Sequence, residues 1–357
     1  MRATVTLTTV LATGALLASC SVATDSDEDE QGTEALGTPE PGSTVTLVTH
    51  GDFTLPQGLV RRFEKDSGLQ LEIKKVDEGL PTQLALTKGE PLGDVAFGVD
   101  NGSATIPLAQ GVFADHRADL PEGAEDYVYP GEGGDRLTPV DHGEVCLNVD
   151  KAWYAKHDQE PPETLDDVTE PAYEDQLVVS SATGSTPGML FLLTTIDAYG
   201  DDWQGYWERL MDNGTKVARS WSDAYYGDFT GGGGKGGRPI VLSYNTSPAY
   251  TIDEKTQEST TAALPETCIS QVEYAGVLEN ADNPAGGRVV VEWLVSPEVQ
   301  AAFPENMFMF PVDSSVELPE DWQAHAEVPE DTHDLDADGL AEDRRQWLTE
   351  WRDIISR

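Results

Sequence analysis

Between residues 45 and 100 the chain alternates short apolar runs with helical stretches, and that order limits the folds open to it. Val45 to Val48 reads as a strand, and Leu59, Val60 and Phe63 give a helical face from about 56 to 67, stopped by Gly68. Leu69 to Val76 alternates as a second strand, Asp77-Glu78-Gly79 turns into a helix carrying Leu84 and Leu86, and Asp94 to Val99 makes a third strand. This β-α-β-α-β order implies an α/β protein with a parallel sheet and right-handed crossovers. Open α/β sheets bind ligands at the carboxyl ends of their strands. His50, Glu78 and Asp100 stand at three such ends and are candidates to face a cleft.

From Pro139 to Asp150 another strand breaks the three-strand unit. Strands at Leu177 to Val179 and Thr215 to Ala218 follow, with helices from Met189 to about Tyr199, Trp203 to Met211 and Trp221 to Phe229. Then comes IVLSYNTSPAY, Ile240 to Tyr250. Three apolar residues read as a buried strand, and the chain turns polar within one step, delivering Tyr244, Asn245, Thr246 and Ser247 to the strand's carboxyl end. Pro248 suits a first helical position with Ser247 as its cap, and Tyr250 lies one turn on. With Trp221 upstream, these residues describe an aromatic and hydroxyl-lined small-molecule site. Ile269 to Tyr274 reads as a further strand and Val289 to Phe303 as a helix broken at Ser296-Pro297. Met307 to Pro311 is an apolar aromatic loop, and Leu340, Trp347, Leu348, Trp351, Ile354 and Ile355 form a packing stripe on the last helix.

The first residues read as a processing segment: Arg2, an apolar run from Val5 to Leu17, then Leu17-Ala18-Ser19-Cys20, a lipobox. The run is too short for a permanent membrane helix. Residues 1–19 are therefore expected to be a lipoprotein signal peptide, with Cys20 lipidated and the protein anchored on the extracytoplasmic face of the cell membrane. Residues 20–42 are acidic with almost nothing to bury, which predicts a disordered tether. A formal net charge of −43 argues against nucleic acid as a partner, since phosphate backbones need Lys and Arg.

Several motifs invite chemistry. Gly184-Ser185-Thr186-Pro187 fits helix capping and also an anion-binding helix N-terminus. GGGGKGG at 231–237 lacks the Ser or Thr and the leading strand of a phosphate loop, and reads as a surface insertion. Asp334 to Gly339 begins like a calcium loop, but Arg345 stands where a bidentate Glu belongs. His142 and Cys146 share a strand face about 13 Å apart, too far for a thiol–imidazole pair.

WSDAY at 221–225, LSYNTSPAY at 242–250, GSTPG at 184–188 and the terminal RRQWLTEWRDIISR resemble the substrate-binding lipoproteins and periplasmic proteins of thiamine ABC importers. The likeness runs in one register from about Thr44 to the carboxyl terminus. LSYNTSPAY points to the thiamine branch, while the rest of the pattern is shared with iron- and polyamine-binding relatives. The resemblance implies a two-lobed type II periplasmic binding protein fold with parallel-core sheets and a hinge of crossing strands. Residues 43–143 plus about 275–357 would form one lobe and about 144–274 the other, with hinge strands near 140–149 and 268–276. Cys146 and Cys268 then lie at the crossings, where either a disulfide or two buried thiols would fit.

It further implies a non-enzymatic, monomeric carrier of thiamine, with its mono- and diphosphate as alternatives, serving the permease and ATPase of an ABC importer. No cofactor or metal is expected. Trp221, Tyr244 and Tyr250 would sandwich the rings; Glu78-Gly79 would meet the aminopyrimidine or the cation; Ser185 and Thr186 would take the hydroxyethyl or phosphate end. Asn245, Thr246 and Ser247, followed by Pro248, would donate from the second lobe. Two positions depart from the pattern: His50, where relatives carry an aromatic, and Phe308, where they carry Trp. A binder of another small cation or iron(III) and a thiaminase-like enzyme are the competing readings.

Overall fold

The computed structural model describes residues 36–76, 79–333 and 337–357. The leader, Cys20, Glu78 and the start of the calcium-like loop lie outside the described residues.

One sheet threads the molecule in the order Gln70–Val76, Thr44–His50, Val95–Asp100, Ile269–Val277, Thr138–Asp150, Ile240–Tyr244, Leu177–Ser180, Lys216–Ala218, with Thr261–Ala263 and Phe310–Pro311 also paired to Thr138–Asp150. β1 (Thr44–His50), β2 (Gln70–Val76) and β3 (Val95–Asp100) are mutually parallel, linked by helices α1 (Gln57–Ser67) and α2 (Leu80–Leu86) as the sequence order predicts. In α2 Leu84 is buried, but Leu86 is 80% exposed, because seven residues give the helix only one inward row.

The two halves meet on the long strands. β4 (Thr138–Asp150) has every residue buried, and its 13 residues span roughly 43 Å at about 3.3 Å each. Its first half pairs antiparallel with β9 (Ile269–Val277), and its second half with β7 (Ile240–Tyr244) and β8 (Thr261–Ala263). β9 continues the other way onto β3. β5 (Leu177–Ser180) and β6 (Lys216–Ala218) complete the second half in parallel with β7. Cys146 on β4 and Cys268 beside β9 are joined as a disulfide.

Helices α3 (Thr186–Tyr199) and α4 (Trp203–Asp212) cover the second half. α5 (Pro284–Leu294) packs its valines on the first. The last helix, α6 (Ala337–Ile355), differs from expectation. Its stripe of Leu340, Leu348, Trp351 and Ile354 joins the second-lobe core rather than the first, and Trp351 meets Trp207 of α4 edge to face at 5.6 Å. The chain therefore crosses between lobes a third time, after β10 (Phe310–Pro311), on its way to α6. The N-terminal boundary also shifts: Leu36 packs against the first-lobe core and the Gly42 N–H donates to the Gly68 carbonyl, so the end of the expected tether belongs to the lobe. Among the described residues no helix is long and apolar enough to cross a membrane.

Candidate functional site

Strand ends and crossing strands meet on one face. β3 ends in Asp100, which sits opposite Glu273 of β9, and Glu273 in turn sits opposite Asp141 of β4. Cross-strand partners point to the same side of a sheet, so three carboxyls form one row. All three are buried, and burial pushes each carboxyl above its usual range, furthest for Asp141 beside Glu273. His50, ending β1, places Nε2 3.7 Å from Glu273 Oε2. Its ring lies over Gly98, where an added Cβ would come within 2.3 Å and where φ is +95°, so only glycine suits.

Tyr244 ends β7 beside this row. Its hydroxyl donates to Gln271 at 3.1 Å, and burial together with Glu273, Asp100 and Asp141 pushes the phenol well above its ordinary value. Trp221 leans towards Tyr244 at 6.4 Å, stacks on Tyr225 at 5.0 Å and donates its indole N–H to Ser243. Tyr250 joins a different aromatic group: Phe308 edge to face at 4.7 Å and Trp322 at 6.0 Å, with its hydroxyl donating to the Pro304 carbonyl. None of the three expected stacking residues is fully buried, and Tyr250 is 44% exposed. Phe308, 51% exposed, holds φ +60°. That left-handed conformation strains a residue with a Cβ and is typical of functional positions.

The polar run after β7 is spent within the protein. Asn245 takes the Glu144 N–H on its side-chain oxygen and donates to the Glu144 carboxylate and the Glu327 carbonyl. Thr246 donates to the Phe308 carbonyl, and Ser247 shares a hydrogen bond with Ser243. These residues brace the aromatics rather than present free donors. Thr246 rather than Ser247 precedes the short 3₁₀ turn, which contains Pro248 and makes no side-chain cap. In the same lobe, beyond the neighbouring β5, Ser185 caps α3 by accepting the Gly188 N–H, and Thr186 donates to Asp100 of the first lobe at 2.9 Å, linking the lobes. Gly79 takes the left-handed conformation that leads into α2.

Asp141 and Glu273 had escaped the sequence reading. The signal was there: an acid within the apolar runs PVDHGEV and SQVEYAGV, where a charge is costly without a purpose. The site as a whole pairs aromatic faces with buried carboxyls, which is chemistry suited to a flat cation.

Two α/β lobes hung on crossing strands, with the strand ends facing each other between them, are a type II periplasmic binding protein. Residues 99–333 match the family model described as bacterial extracellular solute-binding protein, and the chain belongs to that family. It is 29% identical over 320 residues to the thiamine-binding periplasmic protein of Escherichia coli K12, covering 88% of this chain and 94% of the relative. The protein of the same description from Brucella suis is 30% identical over 326 residues, with 88% and 92% covered. A solved structure of a periplasmic thiamin binding protein superposes with a TM-score of 0.74 at 28% identity, covering 88% of this chain and 96% of that one.

Proposed function

We propose that this chain captures thiamine in the cleft between its lobes and hands it to the permease of an ABC importer, while lipidated Cys20 holds it at the outer face of the membrane. The observation that carries this reading is Tyr244: an aromatic ring at the end of β7 whose hydroxyl bonds Gln271 and lies within the field of the buried carboxyls of Glu273, Asp100 and Asp141. A ring that carries a positive charge gains stacking of about 0.5–1.5 kcal/mol and a cation–π term of about 0.5–2 kcal/mol at such a place. The relatives named above are described as thiamine-binding, and the likeness spans nearly their whole length.

In this reading Trp221 and Tyr244 contact one ring, and Tyr250 with Phe308 the other. Glu78 and Gly79 meet the aminopyrimidine, and the α3 N-terminus with Ser185 and Thr186 takes the hydroxyethyl end or a phosphate attached to it. Calorimetry with thiamine, its mono- and diphosphate, spermidine and Fe³⁺ tests the proposal. Binding of thiamine or an ester in preference to the other two is expected; a preference for spermidine or Fe³⁺ would reject it.

A further inference from the structure

We infer that Glu273, backed by Asp141, is the group that makes this cleft select a positively charged ligand. The inference rests on the thiamine reading of the cleft and adds the residue that reads the charge. Glu273 occupies the middle of the carboxyl row, in register with Asp100 on one side and Asp141 on the other.

The charges around it do not balance. Facing Glu273 are His50 at the end of β1, Asp52 just beyond it, Asp100 on β3, Asp141 on β4 and the phenol of Tyr244 on β7. From α6 Arg344 acts on Asp100. Among the described residues four acids thus meet one arginine and one histidine. Asp141 has no exposed surface, and among the described residues no N–H or hydroxyl donates to it; its hydrogen-bond partner is the Glu273 carboxyl opposite, which requires a proton between the two. A strand interior rarely holds two acids whose partner is each other, because ionising either one leaves a buried charge that needs a positive counterpart. A cation lying against Tyr244 would supply that counterpart to Glu273, which lies between Asp141 and His50.

The same geometry couples binding to protons. Two buried carboxyls side by side cannot both ionise readily, so the pair holds a proton while the cleft is empty. A cation favours the ionised form, and the proton leaves as the ligand arrives. By linkage, affinity must then rise with pH over the range in which the empty pair is protonated and the occupied pair is not.

The test is calorimetry of the wild type, Glu273→Gln and Asp141→Asn, each shown to be folded by thermal melting. The ligands are thiamine and an uncharged isostere with carbon in place of the thiazolium nitrogen. Two buffers of different ionisation enthalpy report the protons released. Glu273→Gln is expected to weaken thiamine about tenfold or more and the isostere less than about threefold. Asp141→Asn should flatten the pH dependence of thiamine binding and abolish the proton released when thiamine binds. The wild type should release a proton to thiamine and none to the isostere.

Equal losses for both ligands, or no loss for thiamine, overturn the inference and leave the thiamine reading standing. Should Glu273→Gln fail to fold, the wild-type proton count decides, and identical counts for the two ligands overturn it. A wild type that ignores thiamine sinks the thiamine reading and this one with it.

Discussion

Thr186 donates its hydroxyl to Asp100 across 2.9 Å, from the first turn of a second-lobe helix to the end of a first-lobe strand. Asp100 is buried, so the bond meets little competition from water. A hydrogen bond to a charged acceptor contributes about 1.5–3 kcal/mol. Thr186→Val keeps the shape and removes the donor. It is expected to bias the lobes apart, seen as a larger radius of gyration in solution scattering, and to weaken ligand by about tenfold. An unchanged scattering curve and affinity would show that the contact does not hold the lobes together.

Asp141 should make the empty protein sensitive to pH. Its carboxyl is held well above the usual range by burial and by Glu273. The folded state therefore binds a proton that the unfolded state has already lost. Its contribution to stability is greatest below the unfolded carboxylate value near about 3.9 and falls as pH rises towards the raised folded value. Asp141→Asn removes this loss, so the variant should gain on the wild type by about 1–3 kcal/mol at alkaline pH, with the gap closing towards acid. Urea unfolding at several pH values measures it, and a gap that does not vary with pH argues against the buried carboxyl as the cause.

The Cys146–Cys268 bridge ties β4 to the start of β9 across a sequence separation of 122 residues. Closing so long a loop restricts the unfolded chain, and loss of such a bridge costs about 2–5 kcal/mol. The double variant Cys146→Ser, Cys268→Ser is expected to unfold at correspondingly lower denaturant. Equal midpoints for the wild type with and without reductant would contradict this.

Trp351 is almost wholly enclosed and lies edge to face with Trp207, so Trp351→Ala should cost about 3–5 kcal/mol and loosen α6 from the second lobe. Hydrogen exchange along 337–355 would register the change. Protection equal to that of the wild type would mean that the helix is held by something other than this pair.

Phe308 and Tyr250 form an exposed edge-to-face pair at the lobe boundary. Phe308→Ala removes one ring from a surface position and should weaken thiamine by about 2–10-fold, in line with about 0.5–1.5 kcal/mol per aromatic contact. Phe308→Trp, with a larger face, should tighten it. Fluorescence titration reads both; a Phe308→Ala variant that binds like the wild type would remove Phe308 from the site.

Much of this fold is written locally. Short β-branched runs with intervening helical faces specify β1 to β3 and their parallel order, because hydrophobic period and turn residues act within a few positions. IVLSY specifies a buried strand for the same reason, and the stripe on α6 specifies an amphipathic helix. What the stripe packs against is another matter. An apolar face fits either lobe, and the third crossing is settled by where Trp207 and the α4 surface await it.

The polar run Asn245-Thr246-Ser247 makes the same point from the other side. One-dimensional pattern marks it as a row of donors at a strand end, yet Glu144, Phe308 and Ser243 already take those donors, from positions up to 101 residues away. The carboxyl row goes further still. Asp100, Asp141 and Glu273 are scattered over the chain and become neighbours only through the register of β3, β9 and β4. Residue type and local period fix which elements form and which residues each can offer, since those depend on bonds and contacts a few residues apart. Which side chains stand opposite one another depends on strand register and helix docking, which free energy summed over the whole core decides, and so it appears only in three dimensions.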